Sequence, residues 1–457
     1  LRGPLAVSVT AALMLAAAAL ARLWRRPVLE VHKRGAIVRR PGLLERRGVG
    51  CFGGAPQPLR LAGIALAPAD ETRHFKLIGT TGAGKTTLIL DLLSQALERG
   101  DRALIADPDG GYYARCFDRY RGDVVLNPFE RGSVRWDPFA ELVDPYDVEQ
   151  LASSLIASSA DPGASEWRGY ARTFLAALLR HGRAAHERDP AALWHRLAVA
   201  PAEELRALLA GTPAQAFLDP DNARMFGSIR SVAVAALGAL EHVQAQRAPA
   251  FSVRAWVADG DARGCLFLPY KAQQIAALRS LIATWVRLAI FEALSGHEGR
   301  DQRLWFIVDE LDALGAIEGL KDALARLRKF GGRCLLGFQS AAQVSGLYGA
   351  DASTIVENCG NTVILRCSSS ESGGTSQFAS RLIGEREIRR RQVARHLDQG
   401  ALLGRSATAR RSRNTSDQHV IESAVLASEI ERLPDLEGYL KRASADHWLK
   451  VSVRRPR

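Results

Sequence analysis

The first pattern along the chain is an uncharged run, Leu5 to Ala21 (LAVSVTAALMLAAAALA). Extended to Trp24, it would measure ~30 Å as a helix, the thickness of a bilayer's hydrocarbon core. Arg22, Arg25 and Arg26 follow it directly. Basic residues beside an apolar span stay on the cytoplasmic side, so the pattern predicts an N-terminal transmembrane helix over 1–27 with the remainder in the cytoplasm. The first residue is Leu rather than Met, which leaves room for an upstream piece such as a second membrane helix. Residues 28–72 carry short apolar runs broken by Gly and Pro, and read as a strand-rich stem.

Beyond the stem the period changes repeatedly. His74–Ile78, Arg102–Asp107 and DVVLNP (123–128) are short apolar runs and predict buried strands, with an amphipathic helix from Thr86 to Arg99 between the first two. From 140 to 250 strand signals vanish and Ala, Leu, Glu and Arg dominate. Pro190, Pro201, Pro213 and Pro220 divide this stretch into several helices. Trp167, Tyr170, Phe174 and Leu178 share one helix face, read as core rather than as a ladder for stacking bases. Strand signals return at Cys265–Pro269, followed by a helix from Ala276 to Leu294. Further strands are expected at Leu304–Val308, Arg333–Phe338, NTVILRC (361–367) and HWLKVSV (447–453), with 385–417 an Arg- and Ser-rich hairpin or loop. The prediction is an α/β domain in two parts, 73–139 and 251–457, interrupted by an all-helical insertion at 140–250.

Charge changes this picture less than its total suggests. The 457 residues carry a net charge of +12. Residues 22–47 hold nine Lys/Arg against Glu30 and Glu45, and residues 386–413 hold nine Arg against Glu387 and Asp398. The rest of the chain is close to neutral, so the total charge does not by itself argue for a nucleic-acid partner. The basic stretch after the apolar run also suits an anionic lipid surface. Six cysteines, none in a C-x-x-C pair, indicate neither a zinc site nor a disulfide framework.

The chemistry centres on Gly79-Thr80-Thr81-Gly82-Ala83-Gly84-Lys85-Thr86-Thr87, a G-x-x-x-x-G-K-[ST] loop placed between a strand and a helix. Glycines let the backbone wrap phosphate oxygens, and the helix N-terminus supplies free N–H groups and a positive dipole end. Lys85 would reach the β- and γ-phosphates, and the Thr86 hydroxyl would hold Mg²⁺. The expected ligands are therefore ATP and Mg²⁺. Export would separate such a loop from its ATP, so a retained anchor is favoured over a cleaved leader.

Leu304-Trp305-Phe306-Ile307-Val308-Asp309-Glu310 completes the pair of motifs, a doubly buried strand ending in two carboxylates. Asp309 would hold Mg²⁺ through water, and Glu310 would polarise the attacking water as general base. Gln339, at the end of the 333–338 strand, can sense the γ-phosphate. An Arg beyond the following helix can reach a neighbouring subunit's nucleotide; Arg328 is the first choice and Arg333 the second. Asp107 ends the second strand in Asp-Pro-Asp-Gly, which suits either a second-layer role at the ligand edge or a turn.

With HFKLIGTTGAGKTT, RALIADPDG, LWFIVDELDALG, LLGFQSAAQ and VLASEIERLPDLEGYL in this order after a membrane segment, the chain resembles the conjugative type IV coupling proteins of the TraD/TrwB type from about residue 5 to 453. That resemblance implies a RecA-like motor, assembled as a homo-hexamer at the bacterial inner membrane. It implies ATP-driven passage of single- or double-stranded DNA, with its relaxase, into a type IV secretion channel. It supports the roles of Lys85, Thr86, Asp309, Glu310 and Gln339, and fixes no DNA-contacting residue. The family usually has two membrane helices where this chain shows one.

Two other functions fit parts of the pattern. A secretion-assembly ATPase acting on protein would carry similar motor motifs, although an anchor directly before a stem favours DNA transport. A regulatory protein using ATP as a switch would not need intact Lys85, Asp309 and Glu310. An ABC transporter subunit is disfavoured, since no LSGGQ-like segment precedes the Asp309 strand and Val344-Ser345-Gly346 comes after it.

Overall fold

The computed structural model describes residues 30–47, 58–158, 161–296, 302–370, 373–397 and 411–453. The expected membrane helix lies outside them. Among the described residues no helix is long and apolar enough to cross a membrane. The chain divides into two units, one formed by residues up to Ile37 with Ser380–Leu426, the other by Val38–Ala379 with Ala427–Arg457.

The smaller unit is a three-stranded antiparallel sheet in which Glu385–Leu397 pairs with both Glu30–Gly35 and Arg411–Ser423. The Arg-rich run forms a regular ladder here because its charges are matched. Arg386 pairs with Glu422, Arg390 with Glu30, and Arg391 with Asp417. Glu387 receives Lys33 and His419, each at 3.1 Å.

The larger unit is built on one ten-stranded sheet. Its strands in chain order are β1 (Val38–Arg39), β2 (Phe75–Ile78), β3 (Arg102–Pro108), β4 (Val124–Val125), β5 (Cys265–Tyr270), β6 (Leu304–Val308), β7 (Arg333–Phe338), β8 (Asn361–Ile364), β9 (Glu437–Lys441) and β10 (Trp448–Ser452). They lie in the order β1-β10-β9-β8-β2-β7-β6-β3-β5-β4. From β8 to β4 all are parallel, and β9 runs antiparallel to both its neighbours. The sequence reading missed β9, whose EGYLK is half polar. It fits because Gly438 lies against β8, where a Cβ would come within 2.4 Å of the Ile364 carbonyl oxygen.

The inner strands are buried on both faces, which is why they read as continuous apolar runs. The two faces still separate with a period of two. Ala103, Ile105, Trp305 and Ile307 face a core shared with α1 (Lys85–Glu98), through Leu88, Ile89, Leu92 and Leu93. Leu104, Ala106, Phe306 and Val308 face the opposite core.

That opposite core holds the helical segment. A short helix α2 (Gly111–Cys116) follows β3 on the α1 side, with Tyr112 in that core; the longer helices of the opposite side include α3 (Asp147–Leu155), α4 (Pro162–Ala184), α5 (Ala223–Leu237), α6 (Val253–Ala258), α7 (Ile275–Leu294) and α8 (Leu320–Leu327). The expected core face of α4 is corrected in part. Phe174 and Leu178 are fully buried, whereas Trp167 is 38% exposed. Burial along α4 begins only at Ala171, so the first turns form a rim on which Trp167 stacks edge-on with Tyr170. Glu141 ties the two ends of the segment together. It accepts from Trp136 Nε1 at 2.9 Å and from the Val253 and Arg254 N–H groups at 2.7 and 3.1 Å, capping α6 from across the insertion.

Candidate nucleotide-binding site

β2 and β6 are separated by β7 alone, so the loop after β2 and the carboxylates after β6 meet at the C-terminal edge of the sheet. The loop leaves β2 with the Gly79 N–H donating to the Phe338 carbonyl and the Thr80 N–H to that of Arg366, at 3.3 and 2.8 Å. Gly84 has a φ of 113°, a left-handed conformation that favours glycine, and a Cβ there would press on the Leu436 side chain. α1 begins at Lys85, and the N–H groups of its first turn have no carbonyl partner within the helix. Thr81, Gly82 and Thr86 are exposed, Gly84 and Thr87 half-buried, and Ala83 buried, so the loop presents its backbone outward.

Lys85 folds across this loop and donates to the Gly79 and Thr80 carbonyls at 2.6 and 3.4 Å. Burial lowers its pKa, while Asp309 and Glu310 act to raise it. The Thr86 hydroxyl donates to Asp309 Oδ2 at 3.0 Å. Asp309 is 3% exposed, and its Oδ1 is buried with no hydrogen-bond partner. A hydroxyl and a carboxylate with one unsatisfied oxygen are hard oxygen donors, the set that suits Mg²⁺ completed by phosphate and water. Among the described residues no cluster of three or more His, Cys, Asp or Glu could hold a metal by itself.

β7 delivers Gln339 between the two motifs. Thr81 Oγ1 donates to Gln339 Oε1 at 2.9 Å, and Gln339 Nε2 donates to Glu310 Oε1 at 2.8 Å. This chain connects the phosphate loop to the candidate general base. Burial raises the Glu310 pKa, Asp309 adds to the rise, and the Gln339 hydrogen bond opposes it. A base held above the ordinary carboxylate range is better matched to taking a proton from water. Gly337 lets the Asp309 backbone approach, since a Cβ there would fall 2.2 Å from the Asp309 carbonyl oxygen.

Asp107 closes the turn that its sequence context suggested. Its carboxylate accepts the Tyr112 and Tyr113 N–H groups at 3.1 and 2.7 Å, closing the turn into α2. It is fully buried, and burial, with Asp309 nearby, pushes its pKa up to about 6 against the pull of the backbone hydrogen bonds. Two tyrosines escaped the sequence reading. The Tyr112 hydroxyl donates to Asp309 Oδ2 at 2.7 Å. Tyr270, at the end of β5, has a buried hydroxyl with no partner, and its pKa is raised by burial and then by Glu310 and Asp309. No motif marks either, because their neighbours are set by strand order.

The arginines behave differently. Arg328 precedes β7 and lines a cavity of about 410 Å³ with Arg73, His74, Glu357 and Lys441, at the N-terminal ends of the strands. It therefore cannot serve the loop of its own chain, which lies at the opposite edge. Arg333 is corrected as an alternative finger. It is 3% exposed, its Nε donates to Glu71 Oε2 at 3.1 Å, and its Nη1 donates to the Gly331 carbonyl at 2.6 Å.

Residues 58–454 match the family model for the type IV secretion-system coupling protein DNA-binding domain. Coupling protein TraD of Escherichia coli (strain K12) is 29% identical over 409 residues, which cover 88% of this chain and 55% of TraD; the chain thus spans about half of that relative's length. Among solved structures, the unbound bacterial conjugative coupling protein TrwBdeltaN70 aligns with a TM-score of 0.79 at 28% identity, covering 93% of this chain and 94% of that one. TrwB in complex with ADP and Mg²⁺ aligns with a TM-score of 0.78 at 29% identity over 93% and 94% of the two chains. TrwB with the non-hydrolysable ATP analogue ADPNP gives 0.77 at 29% over 93% and 95%.

Proposed function

The chain belongs to the type IV secretion-system coupling proteins, and we propose that it is an ATP-hydrolysing motor that moves DNA during conjugative transfer. One observation carries the proposal. Two hydrogen-bonded groups, Thr86 with Asp309 and Thr81 with Gln339 and Glu310, lie side by side at one edge of the sheet, beside the open phosphate loop. A molecule that only bound nucleotide would need the loop, but not a half-buried carboxylate of raised pKa tied to it through Gln339.

In this reading Lys85 exchanges the Gly79 and Thr80 carbonyls for the β- and γ-phosphates. The N–H groups from Gly82 to Thr87 cradle the phosphate oxygens. Thr86 and Asp309 would hold Mg²⁺, which when bound would neutralise developing phosphate charge. Glu310 orients a water and takes its proton. Gln339 reports to Glu310 whether Thr81 is engaged by phosphate. Arg328 acts on the nucleotide of a neighbouring copy, since the edge it occupies faces away from its own site. The chain then works as a homo-hexamer, anchored at the inner membrane by residues 1–27 and joined to its motor through 28–72. The motor halves 73–139 and 251–457 flank the all-α region 140–250. Its partners are DNA, a relaxase and the secretion channel.

The test separates binding from turnover. Lys85→Ala should lose phosphate release because the phosphate contact goes. Glu310→Gln should keep ATP binding and lose hydrolysis by on the order of 10²-fold or more. Undiminished phosphate release by Glu310→Gln would remove the proposed base and with it the mechanism.

A further inference from the structure

The residue least explained by the phosphate loop is Tyr112. It is 1% exposed, and its hydroxyl shares Asp309 Oδ2 with the Thr86 hydroxyl, at 2.7 and 3.0 Å. Oδ2 thus receives two donors while Oδ1 of the same carboxylate is buried with none. A buried phenol usually finds a partner, and any nearby acceptor would satisfy that need. Here the acceptor is the carboxylate assigned to the metal, and the asymmetry leaves its second oxygen costly unless a cation's hydration shell or the cation itself reaches it.

The phenol is also held from behind. Asp109 and Gly110 adopt left-handed backbone, with φ of 58° and 70°, which turns the chain back towards the sheet edge. The Asp109 N–H donates to the Tyr270 carbonyl at 2.7 Å, and the Asp107 carboxylate takes the N–H groups of Tyr112 and Tyr113. Position 112 is therefore fixed by the ends of β3 and β5 before its side chain reaches the end of β6. Asp107, Tyr112, Asp309 and Thr86 form one connected path from the end of β3 to the phosphate helix.

We propose that Tyr112 is a positioning residue for the metal site, its hydroxyl locking the Asp309 carboxylate through Oδ2 so that Oδ1 remains available to the nucleotide-bound Mg²⁺. This rests on the reading of the loop as an Mg²⁺–nucleotide site. Groups that orient a metal ligand from behind typically contribute about 10–100-fold to metal affinity. Losing the hydroxyl should weaken metal binding while leaving the phosphate cradle intact.

The test uses Tyr112→Phe in the full chain, which removes the hydroxyl and keeps the ring. Mn²⁺ replaces Mg²⁺, and its dissociation constant from the Mn²⁺–ADP–protein complex is read by electron paramagnetic resonance. ADP affinity in EDTA is measured alongside. The expected result is Mn²⁺ affinity lowered about tenfold with ADP affinity in EDTA unchanged. Mn²⁺ affinity within about twofold of wild type, with ADP still bound, overturns the role of Tyr112. Failure of the wild-type protein to bind ADP at all overturns the nucleotide-site reading instead. If Tyr112→Phe does not fold, 3-fluorotyrosine placed at position 112 gives the same test by fluorine NMR. Its resonance should shift when Mg²⁺ is added to the ADP-bound protein, and an unmoved resonance overturns the assignment.

Discussion

His74 shows how tightly single groups are specified below the site. The Cys334 N–H donates to its Nδ1 at 3.1 Å, so the ring proton sits on Nε2 and is donated to the Leu324 carbonyl at 2.9 Å. Burial, with the Arg328 charge nearby, lowers its pKa to about 4. The unfolded chain then binds more protons than the folded one between the ordinary histidine value and pH 4. The stabilisation is complete above pH 6.5 and is lost as pH falls through 4, a change of roughly 3 kcal/mol. The stability gap between wild type and His74→Gln, measured by urea unfolding, should shrink by about this amount from pH 7 to pH 4. A gap independent of pH would mean that His74 is not held neutral. None of this is visible in the sequence, where His74 only opens a strand. Lys85, Thr86, Asp309, Glu310 and Gln339 were legible because residue type and position relative to a strand end carry their chemistry. Tyr112 was not, since nothing joins position 112 to 309 until β3 is known to lie beside β6. Arg328 and Arg333 follow the same helix, and only the structure separates the cavity-lining one from the one locked on Glu71.

At the scale of elements, the helical insertion was legible as a loss of alternation between two runs of strands, punctuated by prolines. Its closure was not. Glu141 is fully buried, and burial raises its pKa to about 7 in spite of four hydrogen bonds from Trp136, Ser252, Val253 and Arg254. Glu141→Leu would strand two buried donors, Trp136 Nε1 and the Val253 N–H, at about 1–3 kcal/mol each, besides two part-buried ones. Glu141→Gln keeps the shape and one acceptor oxygen, and should cost about 1–2 kcal/mol. Thermal unfolding should therefore rank wild type, Gln and Leu in descending order, and equal stability of the Leu variant would refute the cap. β9 escaped prediction for a related reason. Its polar residues need no apolar pattern once Gly438 admits the backbone of β8. The Arg-rich ribbon was read as a hairpin or loop, and the antiparallel pairing of Glu385–Leu397 with Arg411–Ser423 bears out the hairpin; its cross-strand partners Glu422, Asp417 and Glu30 emerge only with the register.

For the whole molecule, the decisive geometry is that the phosphate loop and Arg328 occupy opposite ends of the strands. If Arg328 serves the site of the next copy, as proposed, one catalytic group of each site comes from a second chain and turnover should depend on assembly. The direct measurement is phosphate release per subunit, from a chain beginning at residue 28, across a range of protein concentrations with and without DNA. The account predicts a steep rise with concentration and a further rise with DNA. Arg328→Ala should stay inactive alone and regain turnover when mixed with Glu310→Gln, because one interface then pairs an intact base with an intact finger. A rate per subunit that is independent of concentration and indifferent to DNA, but stimulated by a protein substrate, would contradict the account.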